Sequence, residues 1–348
     1  PREGFDEAAL LNVAMIRRKL LTPDLCTEMV RIGRRSDTIV FICYLDSLAD
    51  GAMVAELKRR LSKINIDGVL DTNYIAELIR DKPRSLFKTS GTTERPDIVA
   101  ARLLEGRIAL IADGTPVVLT FPYLFSENFQ SDEDYYLNYA IASVGRVLRY
   151  ICFFLSVSIP AVFIAAATYH KELLPTSLAL TVTQLRGGVP FPAFAECILL
   201  IFVFEILKET GVRMPQSLGH ALSIVGGLVV GQAAVEARII SAPMLIIVAL
   251  AGISGLMIPR LKGAVFYFRI IFVCLSALFG LYGYIAGFTL MLIHILQLSS
   301  LGVSSTASLN SADKRSLKDT FWRAPWKNMH TRPIFCRNSV RMENKKSD

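Results

Sequence analysis

The chain has 348 residues, 52% of them hydrophobic, a mean hydropathy of +0.44 and a formal net charge of +8. That apolarity excludes an ordinary soluble protein, and the length suits two domains. Residues 1–145 hold 18 Lys/Arg against 21 Asp/Glu, residues 146–300 hold 10 against 5, and residues 301–348 hold 10 against 4; the folded N-terminal part is slightly acidic, which excludes nucleic acid as a partner, while the positive excess flanks an apolar region as it does at a membrane surface.

In chain order, residues 7–19 place Ala8, Leu11, Val13 and Ile16 at helical spacing. Residues 26–32 and 38–45 are strand-like runs joined by polar Arg34-Arg35-Ser36-Asp37, which predicts a hairpin. Asp50 is placed to cap a helix whose face is Met53, Val54, Leu57, Leu61 and Ile64, and 73–80 is a second short helix. Pro96 and Gly106 bracket a helix over 97–105. Strand-like runs at 107–112 and 116–121 flank Asp113-Gly114, a strong hairpin signal. Residues 1–145 therefore form an α/β soluble domain.

This domain carries no phosphate-binding glycine loop, no GxSxG, no HExxH and no histidine, so no catalytic, cofactor-binding or metal residue is assigned and the chain does not read as an enzyme. The six cysteines make no CxxC, which suits packing rather than a disulfide or metal framework. Acidic Asp132-Glu133-Asp134 is either a cation site or the solvated start of a helix.

Residues 146–300 read as a helical transmembrane domain of about five or six segments. Spans fit 150–169, 193–207, 218–235 and 243–258; the second is entered through Gly187-Gly188-Val189-Pro190-Phe191-Pro192. Residues 263–298 are apolar throughout, and as one helix would run ~54 Å against a hydrocarbon core of ~30 Å. They form either a tight hairpin broken near Gly280 and Gly283 or an interfacial helix followed by one span. Arg146/Arg149, Arg260/Lys262 and the tail 301–348 are the cationic clusters, which puts both the N- and C-terminal parts in the cytoplasm.

Ionisable groups at membrane depth cost about 2.5–3.5 kcal/mol each on insertion scales. Glu196, beside the Pro/Gly-rich entry, is either a functional intramembrane carboxylate or one half of a structural pair. Glu205 fits the interface, and Arg269 snorkels toward Arg260 and Lys262. In the third span Gly227 and Gly231 form a GxxxG that admits a close neighbour. Val225, Val229, Gln232 and Glu236 share a stripe that is apolar along most of its length and polar at one end. A ring of such helices makes a constriction that gates a cation pore; the plain alternative is packed or lipid-facing surface.

Several motifs in order resemble the A-subunit family of bacterial spore germinant receptors, from Pro1 to about Pro333. They are Pro1-Arg2-Glu3, Thr93-Glu94-Arg95-Pro96-Asp97, Leu104-Glu105-Gly106-Arg107, Glu133-Asp134-Tyr135-Tyr136, Gly188-Val189-Pro190-Phe191-Pro192 with Glu196, Gly231-Gln232-Ala233-Ala234-Val235-Glu236, Lys318-Asp319-Thr320 and Arg323-Ala324-Pro325-Trp326. The resemblance implies a spore inner membrane protein that works with a permease-like B subunit and a lipoprotein C subunit. It also implies a homo-oligomer that forms a nutrient-gated cation channel. The alternatives are a non-conducting signalling scaffold and a secondary transporter. Two departures are expected: the family carries a further soluble subdomain ahead of Pro1, and Ser304-Ser305-Thr306-Ala307-Ser308 reads as a flexible linker that loosens the tail.

Overall fold

A computed structural model describes residues 3–213, 229, 231–310, 319–338 and 340–341. The chain divides into two compact units, Pro1–Val147 with His294–Asp348, and Leu148–Ile293.

The first unit is built on a five-stranded sheet of order β1-β2-β4-β5-β3, with strands Leu25–Ile32, Thr38–Leu45, Gly91–Thr93, Ile108–Ala112 and Val118–Phe121. Every pair is antiparallel. Both expected hairpins form: Leu25 pairs with Leu45 and Ile32 with Thr38, and Gly114 turns the second at φ 85°. β4 is buried along its whole length because the sheet is covered on both faces. Ile108, Leu110 and Ala112 face helices α2 (Gly51–Leu61) and α3 (Thr72–Leu78), sharing a core with Leu57 and Ile75. Ala109 and Ile111 share the opposite core with Ile16 of α1 (Ala9–Lys19) and Leu103 of α4 (Pro96–Leu103). The period-two alternation of a strand thus feeds two cores at once.

Local signals act as the sequence predicts. Asp50 Oδ1 accepts from Ala52 N at 3.0 Å, and Pro96 opens α4. Gly106 turns the chain out of that helix at φ 78°; a Cβ there would lie 2.6 Å from Leu48 O.

The segment after His294 differs from the expected loose tail. Ser299–Ser300 and Val303–Ser304 pair as a tight hairpin across Leu301-Gly302. Leu301 enters the α2/α3 core and Cys336 the α1/α4 core. Phe125 N donates to Ser305 O at 2.7 Å, and Ser126 and Ser308 share a hydroxyl contact at 3.1 Å. The serine-rich stretch is no flexible linker, because it is largely buried and held to the loop after β5 through Ser305 O and Ser308 Oγ.

The second unit is helical. Helix α5 (Tyr139–Thr168) begins in the first unit and runs into the second. It is followed by α6 (Thr176–Arg186), α7 (Ala193–Arg213), a helical stretch 231–236, α8 (Ala242–Leu256) and α9 (Lys262–Leu296). Among the described residues two helical stretches, α5 and Pro259–Leu296, are long and apolar enough to cross a membrane; α8 is a shorter apolar helix. This is fewer than the five or six segments expected. α7 carries charges at both ends, and most of the third span lies outside the described residues. α6 lies between the first two expected spans, where no element is read from the sequence, and is a further difference.

α9 is two helices. Gly280 has φ 61° and ψ −142°, outside helical space. Phe272 and Phe288 would be ~24 Å apart in a straight helix, yet their ring centroids are 6.3 Å apart, and those of Phe272 and Tyr284 are 5.8 Å apart. The chain folds back on itself as the hairpin that the two glycines predict. A Cβ on Gly280 would meet His170 at 2.9 Å and Tyr169 at 3.2 Å, which sets the turn against the end of α5. Gly280→Ala is expected to cost about 1–3 kcal/mol, read as easier unfolding of the detergent-solubilised protein, whereas alanine at exposed Gly263, with nothing within 4 Å of its Cβ position, should be neutral.

Candidate functional site

The charges that an apolar helical unit must accommodate are its chemically informative groups. Glu196 lies in the first turn of α7, where a carboxylate complements the helix dipole. It is fully buried. Its Oε1 accepts from Arg186 Nη2 at 3.2 Å, at the end of α6. Its Oε2 accepts from Ser241 N at 3.0 Å and from Ser241 Oγ at 2.6 Å. Ser241 is the N-cap residue of α8, so one carboxylate joins α6, α7 and the orphan donors of α8. Of the two sequence readings of Glu196, the geometry is that of a structural clamp. In the Gly-rich entry, a Cβ on Gly188 would lie 3.0 Å from Arg238 Cδ.

Arg269 corrects an expectation. It does not snorkel; it is 2% exposed. Its Nε donates to Ser156 O at 2.7 Å, and its Nη2 donates to Ala251 O at 2.9 Å and to Ser156 Oγ. Ser156 Oγ donates in turn to Ala251 O at 2.8 Å. The guanidinium thereby ties α5, α8 and α9 through backbone carbonyls. Its fork of donors matches several acceptors at once, as a lysine could not. Gly255 makes room, since a Cβ there would be 2.9 Å from Ser156 Oγ.

The stripe of the third span is only partly visible. Val225 and Gly227 lie outside the described residues. Val229 is 57% exposed, and exposed Gln232 donates from Nε2 to Glu236 Oε1 at 3.1 Å. Gly231 is buried; a Cβ on it would lie 3.4 Å from Leu245, so it admits α8 of the same chain. Glu205 pairs with Lys208 at 3.3 Å.

In the first unit a second cluster gathers at the start of α5. Arg146, read from sequence as a surface cation, is fully buried. It meets Asp134 Oδ2 at 3.0 Å and Asp319 Oδ1 at 2.6 Å, and its guanidinium lies 5.5 Å from the Tyr135 ring centroid. Asp134 is thus neither a solvated charge nor an open cation ligand, and no group of three potential metal ligands occurs among the described residues. Tyr135 Oη donates to Asp319 Oδ2 at 2.7 Å, and Arg323 Nη1 donates to Asp134 O at 2.7 Å. Burial pushes the Asp319 carboxyl above its usual range, with Arg146 opposing. Burial likewise raises the Tyr135 phenol. A neighbouring chain of ion pairs runs Arg102–Glu127–Arg107–Glu105–Arg341. Burial raises Glu105, but Arg107, Arg102 and Arg341 outweigh it and leave its carboxyl low. These groups line a cavity of about 80 Å³.

Sequence reasoning missed Arg186, Ser241, Ser156 and Asp319 as partners. The signal available was only the general one, that a buried charge needs a counterpart.

Comparison with known proteins is consistent across the chain. A family model described as Bacillus/Clostridium GerA spore germination protein matches residues 1–335. Spore germination protein KA of Bacillus subtilis is 44% identical over 94% of this chain and 60% of its own length. YfkQ of the same organism, described as an uncharacterized membrane protein, is 42% identical over 95% of this chain and 65% of its own length. GerLA of Bacillus cereus is 37% identical over 96% and 68%. The chain therefore spans about 60–68% of the length of these relatives. A solved structure, the N-terminal domain of the A subunit of the Bacillus megaterium spore germinant receptor GerK3, aligns at 45% identity over 35% of this chain and 98% of its own length, with a TM-score of 0.30.

Glu196→Ala should destabilise the helical unit by about 3–5 kcal/mol, because it strands Arg186 and the Ser241 donors. Glu196→Gln, which keeps an acceptor for Ser241, should cost about 1–2 kcal/mol. Denaturant unfolding in detergent distinguishes the two, and equal effects would remove the clamp.

Proposed function

This chain belongs to the Bacillus/Clostridium GerA spore germination protein family, and we propose on that premise that it is the A-type membrane subunit of a nutrient germinant receptor. In this reading it sits in the spore inner membrane, with its N- and C-terminal parts in the cytoplasm. It assembles with copies of itself and with a permease-like B subunit and a lipoprotein C subunit, and it conducts cations when nutrient is sensed.

The observation that carries the reading is the family match over residues 1–335, joined to a helical unit whose apolar surface is widely exposed in the single chain. Phe202, Ile206, Ile246, Ile253 and Leu278 are all exposed. An unpartnered apolar surface of this kind suits lipid or further subunits.

The topology supports a polytopic arrangement of six segments. In this reading α5, α7, α8 and the two arms of α9 are five of those segments, and the third span, which falls mostly outside the described residues, is the sixth. The contacts Arg186–Glu196–Ser241 and Tyr169–Ala277 gather one set of helix ends. Lys262 and Glu209, 3.7 Å apart, gather the opposite set. α6 then lies along the outer interface.

The pore in this reading is lined by Val225, Val229, Gln232 and Glu236, with Gly227 and Gly231 allowing close helix packing. Val229, Gln232 and Glu236 are exposed in the isolated chain, as pore-facing groups of a ring must be. The Gln232–Glu236 pair presents a carboxylate and an amide together, which biases a pore toward cations.

Val229→Ala should raise nutrient-independent cation flux in proteoliposomes by about tenfold, equivalent to ~1.4 kcal/mol off the barrier. Glu236→Gln should lower cation-over-anion selectivity without lowering expression. A protein that orders correctly in liposomes yet passes no ions in either form supports the scaffold alternative instead.

A further inference from the structure

The turn between α5 and α6 leaves a cavity of about 260 Å³, well above the ~30 Å³ share of a single water. Its apolar wall is Ala167 of α5 with Ala179 and Val182 of α6. Its polar edge is Lys171, Thr183 and Arg186. No carboxylate lines it.

The donors are available. Lys171 is exposed and makes no ion pair among the described residues. Arg186 spends one nitrogen on Glu196, while its Nε is shielded from solvent and has no acceptor. A buried guanidinium N–H without a partner is costly, and its presence beside a cationic cavity points to an absent acceptor.

We propose that this cavity binds the phosphate group of an anionic membrane lipid. Two cations suit a phosphate, with Arg186 offering a planar fork and Lys171 a mobile point charge, while the Thr183 hydroxyl donates to Ala179 O at 2.8 Å and leaves only its lone pairs at this edge. The apolar wall lets a hydrocarbon chain continue from the headgroup. Leu178, Leu180 and Leu185 of α6 are exposed beside it and extend that surface. Lys171 lies three residues beyond the end of the 30-residue apolar helix α5, near the depth at which a spanning helix meets headgroups. This assignment rests on the membrane embedding proposed above. The ligand chemistry itself, a phosphate held by Arg and Lys, could also be met by free inorganic phosphate.

Occupancy would also bear on the clamp. A phosphate on Arg186 fixes the same guanidinium that holds Glu196, so lipid and helix ends become coupled through one side chain.

The test uses the full chain extracted in a nonionic detergent. Thermal unfolding is followed with phosphatidylglycerol, phosphatidylcholine or inorganic phosphate added at matched phosphate concentration. Sedimentation with the membrane fraction before extraction checks the embedding separately. Phosphatidylglycerol should stabilise the protein saturably, with the other two far weaker. Lys171→Gln, at an exposed position that leaves the fold intact, should weaken the apparent affinity for phosphatidylglycerol roughly tenfold, as loss of one charge-assisted bond does. The double variant Arg186→Gln/Glu196→Gln keeps the buried pair neutral and should show a comparable loss. If inorganic phosphate stabilises as well as the lipid, the lipid assignment is overturned. If Lys171→Gln binds phosphatidylglycerol like the unaltered chain, the site is overturned. A membrane-bound protein failing these tests refutes the pocket alone; a protein that does not sediment with membranes refutes the embedding.

Discussion

A charge placed among apolar helices has to be satisfied within them, and the helical unit is organised around that requirement. Glu196 and Arg269 are both buried, and each is met by groups from other helices. α8 receives both. Its N-terminus is capped from α7 by Glu196, and its Ala251 carbonyl accepts from Arg269 of α9. A helix of only 15 residues, too short for comfortable spanning alone, is therefore held at two levels. The glycines follow from the same need: Gly255 clears space beside Ser156 and Arg269, and Gly188 clears space for Arg238.

The first unit solves a related problem with more water at hand. Arg146 enters α5 buried, and Asp134 and Asp319 neutralise it. Asp319 belongs to the segment that follows the helical part, so the chain returns to the unit it left. Leu301 and Cys336 make the same return through the two cores. The motifs around Asp319, Arg323 and Trp326 that carried the family resemblance have a physical content here. They supply the Asp319 partner of Arg146 and stack on Tyr135, with Arg323 5.6 Å from its ring centroid. The first turns of α5 and the C-terminal segment thereby share one buried network.

What could be read from the sequence was local. Asp50 as a cap, Pro96 as a helix start, Asp113-Gly114 as a turn and Gly280 as a break each act within a few residues, and each is found. What could not be read was pairing across distance. Ser156 and Arg269 are 113 residues apart, and Arg146 and Asp319 are 173 apart; no spacing links them. Arg269 shows this, since a cation near a helix end looks able to reach water, while its partners Ser156 and Ala251 lie on other helices. The run at 304–308 has the serine composition of a linker, while burial of Ser305 and Thr306 depends on the distant loop after β5. α6 was hidden because its leucines are exposed and mark no buried stripe. Of the proposed pore stripe, the pattern at Val229, Gln232 and Glu236 was legible, but its meaning depends on neighbours that a single chain does not contain.

The most direct measurement is a double-mutant cycle on Ser156→Ala and Arg269→Met, with unfolding followed in detergent at constant lipid. If buried charge holds the helices together, the two changes are strongly non-additive, with a coupling of about 1–3 kcal/mol. Additive losses, within about 0.3 kcal/mol, would mean that the arginine stabilises nothing through that contact and would contradict the account.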